Sequence, residues 1–184
     1  MNEAPLVGEP LALDLVNTRP TDADLLDTPE HLANWLALQA ARFPELAIAH
    51  PTAADLAAVT AVRDHIGSAL DALLHNRRPP AEALRGLNAA QADAPAIRRL
   101  AWDGNAVTAT VHRDGTSAEK LAAVLAEAAT DLFTDPSIGT LKRCEADDCV
   151  LLFLPAHPRR RWCSPERCGN RVRVARYYQR HKAD

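Results

Sequence analysis

Cys144-Glu145-Ala146-Asp147-Asp148-Cys149 and Cys163-Ser164-Pro165-Glu166-Arg167-Cys168 hold every cysteine of the 184-residue chain, with thirteen residues between them. Two pairs of thiols, each enclosing four residues, suit a tetrahedral four-sulfur zinc site. The surrounding segment of about 40 residues is too short to build a stabilising core, and a structural metal would supply the missing folding free energy. Two disulfides fit less well, because Met1 to Pro10 shows no signal-peptide pattern and a reducing, cytoplasmic setting is the expectation. The four-residue gaps also differ from the tight Cys-x-x-Cys of redox dithiols and from iron–sulfur motifs. His157, between the pairs, reads as a loop histidine rather than a replacement ligand. Four thiolates leave zinc no open position for catalysis.

Local signals around the cysteines predict a treble-clef-like layout. Val150 to Leu154 is an apolar run suited to a strand. Ser164-Pro165 places a capping serine before a proline at the first helical position, so Cys168 falls near the start of a helix reaching about Arg180. At 100° per residue, Cys168, Val172, Ala175 and Tyr178 share the expected inner arc, with Arg173, Arg176, Tyr177 and Arg180 opposite. A charge run alone is most often a solvated face. Beside a zinc module, Arg159, Arg160, Arg161, Arg171, Arg173, Arg176 and Arg180 become candidate contacts to nucleic-acid phosphates, a role that suits the bidentate guanidinium. Arg171 is equally suited to pairing with an acid inside the module. Gly169 would allow close backbone approach, and Asn170 could hydrogen-bond a thiolate or the facing loop.

The whole-chain charge of −3 and pI of about 6.2 conceal this basic segment. Residues 1–141 hold 10 basic against 19 acidic residues, and residues 142–184 hold 11 against 5. The first part is therefore at −9 and the second at +6. Two modules are indicated: an acidic helical domain over 1–140 and a basic finger over 141–184. A composition of 47% hydrophobic and 24% charged residues is that of a globular chain. Of 21 basic residues only Lys120, Lys142 and Lys182 are lysines. With heavy alanine use, that bias points to a GC-rich bacterial genome.

The acidic part reads as mainly α. Leu11 to Val16 is a short apolar run, and Pro20 to Asp27 a polar loop. Thr28 caps a helix that opens at Pro29 and carries Leu32, Trp35 and Leu36 on one face. Thr52 and Asp55 open a long amphipathic helix with Leu56, Val59, Val62, Ile66, Leu70 and Leu73, which Asn76 to Pro80 ends. Ala81 to Ala92 reads as a further helix. The period then changes: Leu100 and Trp102, then Val107, Ala109 and Val111, alternate about Asp103-Gly104-Asn105, a hairpin signal. Thr116 and Glu119 form a capping box for a last long helix through Leu121, Val124, Leu125, Ala128, Leu132 and Phe133. Trp35 and Trp102 are both expected in the core. Asp14, Asn17, Arg19 and His31 read as caps and loop contacts rather than a polar site, and His65 and His75 as surface or interface residues.

Arg161-Trp162-Cys163-Ser164 followed by Cys168-Gly169-Asn170-Arg171 is similar to the signature of the CGNR zinc-finger family. Its members join a C-terminal four-cysteine finger to an N-terminal ABATE domain and are regarded as stress-induced transcription regulators. Leu13-Asp14-Leu15-Val16-Asn17-Thr18 resembles the start of that domain, so the likeness spans nearly the whole chain. The resemblance implies that Cys144, Cys149, Cys163 and Cys168 bind zinc and that the arginines after Cys168 face nucleic acid. Arg173 stands where the family commonly has lysine, which keeps the charge.

The expectation is therefore a DNA-binding transcription regulator with an α+β, mainly α fold. Zinc is the expected cofactor, DNA the expected partner, and the N-terminal domain a sensor or an oligomerisation unit, with a homodimer as a further expectation. The alternative is a zinc-stabilised interaction module whose basic stripe docks an acidic protein surface. No Walker loop, Gly-x-Gly-x-x-Gly, His-Glu-x-x-His or Gly-x-Ser-x-Gly motif is present, so no enzyme is expected. No run of about 18 to 20 apolar residues suggests a membrane span.

Overall fold

The computed structural model describes residues 7–21 and 23–181. Met1 to Leu6, Asp22 and Lys182 to Asp184, which belong to the two predicted modules, lie outside them. The elements run α1 (Leu11–Val16), α2 (Pro29–Ala40), α3 (Ala53–Leu74), α4 (Ala81–Asp93), β1 (Ile97–Trp102), β2 (Val107–His112), α5 (Ser117–Thr134), β3 (Lys142–Arg143), β4 (Leu152–Phe153) and α6 (Asn170–His181). None of the described helices is long and apolar enough to cross a membrane.

Helix starts follow their local chemistry. The Thr28 side chain accepts from the His31 N–H ahead of Pro29, and Thr52/Asp55 and Thr116/Glu119 both close as reciprocal capping boxes. The long helix α3 ends by a different device. Asn76 takes a left-handed φ of 52°, and Arg77 N–H donates back to the Ala72 carbonyl at 2.8 Å, a Schellman-type stop.

Helices α3, α4 and α5 pack on one another, and α1 lies against α3 and α5. Leu13, Leu15, Leu32, Trp35, Leu36, Ile66, Leu70, Leu121 and Leu125 are fully buried between them. The fold crosses the charge boundary. Leu141, at the boundary, and Leu152, from the basic segment, are buried in this same helical core. A second cluster collects Cys144, Ala146, Leu151, Phe153, Cys163 and Cys168. Alternation along β4 therefore sends Leu152 toward the helices and its neighbours Leu151 and Phe153 toward the cysteines.

The hairpin forms where Asp103-Gly104-Asn105 placed it, with Trp102 opposite Val107 and Ile97 opposite His112. The Asp103 carboxylate accepts from the Asn105 and Ala106 N–H groups, and Gly104 supplies the positive φ of 103°. Its environment departs from expectation. Trp35 is buried, but Trp102 is 65% exposed, because no helix covers the hairpin among the described residues.

Candidate metal centre and basic helix

The finger begins where β3 pairs with β4 in antiparallel register, Lys142 opposite Phe153 and Arg143 opposite Leu152. Between them, Cys144 N–H donates to the Leu151 carbonyl at 2.9 Å and Cys149 N–H to the Ala146 carbonyl at 3.0 Å, folding the first pair into a knuckle. The regular strand is shorter than the Val150 to Leu154 run. Ser164 caps the second pair: its Oγ accepts from the Arg167 N–H, and a wide turn over Pro165–Gly169 carries Cys168 directly into α6.

This brings all four sulfurs together. Their Sγ atoms lie within 4.8 Å of one another, with Cys149 to Cys163 at 3.8 Å and Cys163 to Cys168 at 3.6 Å. Sulfurs on tetrahedral corners about 2.3 Å from one zinc stand about 3.8 Å apart, so the donor set fits one zinc ion. His157 is exposed on the intervening loop and accepts the Arg159 N–H on its ring nitrogen. Protonation is shared unevenly in the cluster. Hydrogen bonding from Cys163 draws the Cys149 thiol down to about 5, while donating that bond holds Cys163 protonated, and burial pushes Cys168 up to about 11. A divalent cation would replace those protons.

The candidate phosphate contacts separate into two sets. Arg160 is directed inward: it donates to the Trp162 and Cys163 carbonyls at 3.1 and 2.5 Å and to Glu9 at 2.8 Å, and lies 4.4 Å over the Phe153 ring. Arg161 pairs with Glu145 at 2.5 Å. Arg171 pairs with Asp148 at 2.7 Å and approaches the Cys168 sulfur at 3.6 Å. By contrast, Arg159, Arg173, Arg176 and Arg180 are exposed and form no ion pair among the described residues.

Helix α6 has no buried residue, so the inner arc ends at half-buried Val172, and Ala175 and Tyr178 face solvent. After that turn the helix leaves the finger with none of the described residues packed beneath it to the point of burial. Asn170 serves the turn rather than a thiolate: its amide donates to the Glu166 carbonyl and its oxygen accepts from Arg173, both at 2.7 Å. A Cβ on Gly169 would meet the Trp162 ring at 3.4 Å, an ordinary contact.

Around the apolar opening run, Glu9, Asp14 and Asn17 form a second set of residues, of which the sequence suggests Asp14 and Asn17 only as caps and loop contacts. Buried Asp14 accepts from the Gly8 and Glu9 N–H groups, from Gln39, and from Arg42 at 2.7 Å. Burial pushes its carboxyl up against these bonds. Glu9, so oriented, accepts from the Leu154 N–H at 2.9 Å and from Arg160. Asn17 pairs with both backbone groups of Leu152. Arg19 instead meets Asp24 and Asp64, and His31 meets Asp27, so the four polar residues do not converge.

Residues 9–136 match the family model of ABATE, described as "Putative stress-induced transcription regulator", and residues 140–181 match the CGNR zinc finger. The chain belongs to the ABATE family. Among curated proteins none matches it significantly. Neither matching family is an enzyme family, and both support a regulatory role for this ABATE–CGNR chain. The charges and cysteines made the CGNR finger legible; the Asp14–Glu9–Arg160 chain that joins it to the ABATE part had only the Leu13 to Thr18 motif as its signal.

Proposed function

We propose that this ABATE–CGNR protein is a DNA-binding transcription regulator whose α6 lies against the phosphate backbone. Cys144, Cys149, Cys163 and Cys168 hold one structural zinc ion, which cross-links the knuckle to the start of α6. The observation that carries this reading is the exposed set Arg159, Arg173, Arg176 and Arg180, which forms no ion pair among the described residues, Arg173 being held on its turn by the Gly169 carbonyl and the Asn170 side chain. Arg160, Arg161 and Arg171 support it indirectly, by fixing the loop and helix that present the others. The N-terminal helical part, over 1–140, is the sensor or oligomerisation unit.

Four neutralised phosphates give a slope of log K against log[salt] near about −3.6 on duplex DNA. Metal analysis of the purified full chain, with salt-dependent binding to duplex DNA, tests both parts. A metal-free wild type overturns the zinc assignment. Absence of binding at low salt, or a flat salt dependence, overturns the DNA assignment.

A second reading has an observation in its favour. The basic segment already docks acidic residues of the helical part, Arg160 on Glu9 at 2.8 Å and Arg143 near Asp71 at 3.8 Å. An acidic protein surface would then be the target of the remaining stripe, and nuclease-treated pull-downs would recover protein instead of DNA.

A further inference from the structure

The β1–β2 hairpin carries an apolar face that nothing in the chain covers among the described residues. Cross-strand pairing puts Arg98 with Val111, Leu100 with Ala109, and Trp102 with Val107 on one face. Leu100 is 77% exposed, Val107 67%, Trp102 65% and Val111 64%. Strict alternation is the pattern of a strand with one buried face, and these are the residues that pattern assigns to burial. An isolated two-stranded hairpin is marginal in water, and a contiguous exposed apolar patch of this kind marks an interaction surface.

We propose that this face packs against the same face of a second copy of the chain, forming a twofold homodimer through the hairpins. Two observations select a second copy over a different partner. The first is charge. The face begins at Arg98 at the open end of the hairpin, and just past its other end the turn holds exposed Asp103, whose Oδ1 accepts the Asn105 and Ala106 N–H groups while Oδ2 has no such bond among the described residues. A partner of uniform charge would satisfy one end and repel the other. A twofold axis through the central Leu100–Ala109 pair runs the hairpins antiparallel, so that each Arg98 meets the other copy's Asp103, as a self-complementary interface requires. The second is area. Four large apolar side chains, each about two-thirds exposed, offer on the order of 500 Å², and the flanking polar residues extend this toward the roughly 800 Å² per partner of a standard interface. The opposite face carries Ile97 with His112 at its open end, 44% exposed at Ile97, but Arg99, Thr110 and Thr108 with Ala101 break any continuous apolar surface there.

The inference does not rest on DNA binding, and its test does not use DNA. Sedimentation of the zinc-loaded full chain between about 1 and 100 µM reports the equilibrium directly. The expected result is a concentration-dependent shift from 20.0 kDa to twice that mass, abolished in Leu100→Arg. Because Leu100→Arg can also unfold the hairpin, a second measurement uses added thiols. Ala109→Cys lies beside the axis and forms an inter-chain disulfide under mild oxidation; Thr110→Cys, on the other face, does not. A monomer throughout the concentration range overturns the proposal. So does a dimer that survives Leu100→Arg, or equal cross-linking of the two cysteine variants.

Discussion

The side chain of Asn17 pairs with Leu152 across 135 residues of sequence: its amide donates to the Leu152 carbonyl and its oxygen accepts the Leu152 N–H, both at 2.9 Å. The side chain thus imitates a neighbouring strand on the edge of β4 away from β3, where none of the described strands pairs. Removing it leaves a buried donor and a buried acceptor unpaired. Asn17→Ala should destabilise the protein by about 2 to 4 kcal/mol in urea unfolding. Amide exchange at Leu152 should rise with it. Unchanged protection at Leu152 would refute the strut.

Acid stability should depend on Asp24. Its carboxylate accepts from buried Arg63 at 2.7 and 2.5 Å, and that hydrogen bonding holds it down at about 2. A depressed carboxyl stabilises the fold at every pH above its unfolded value near 3.8, and the contribution disappears as pH falls through about 2. Allowing for its partial exposure, the contribution is about 1 to 2 kcal/mol. Asp24→Asn should lower stability at pH 7 by at least that amount, since it also leaves the Arg63 guanidinium without its counter-ion. The loss relative to wild type should narrow below pH 4, which thermal melts across pH 2 to 7 would record.

Local chemistry was legible in the sequence, and chemistry that depends on distant neighbours was not. Thr52 and Asp55, or Ser164 and Pro165, act within one turn, so the residues that identify a helix start are the residues that make it. The four cysteines carry their own chemistry wherever the chain takes them, provided it brings them together. Trp102 is different: alternation shows that its face seeks burial, but not that none of the described elements covers it. Tyr178 fails similarly, because a helical arc has an inner side only while something lies beneath it. Arg160 looks like its neighbours in a run of three, and what ties it inward is the folded loop, whose Trp162 and Cys163 carbonyls it meets, together with Glu9, 151 positions away.

That distinction separates two arginine variants. Arg160→Ala removes the Glu9 pair and leaves the Trp162 and Cys163 carbonyls without a donor. It should cost about 2 to 3 kcal/mol of stability and weaken DNA binding only through loss of the folded finger. Arg176→Ala removes an exposed cation with no ion pair among the described residues, and should leave stability within about 0.5 kcal/mol. Its effect should appear instead as a salt slope shallower by about 0.9. Paired melting and salt-titration measurements on both variants check the division; equal effects of the two on stability would contradict it.

Metal removal should be felt far from the cysteines. Leu152 lies in the helical core and on Asn17, while Leu151 and Phe153 on either side of it pack with the cysteines. Losing the metal frees the knuckle, and with it the short strand that fixes Leu152. Trp35, buried among the helices, can report this if Trp102 and Trp162 are replaced by phenylalanine. Chelation should lower the Trp35 melting transition by roughly 2 to 8 °C, the shift expected from about 1 to 2 kcal/mol in a chain of this size. A finger that hung on the helices as an independent bead would leave that transition where it was. The buried position of Leu152 argues that it moves.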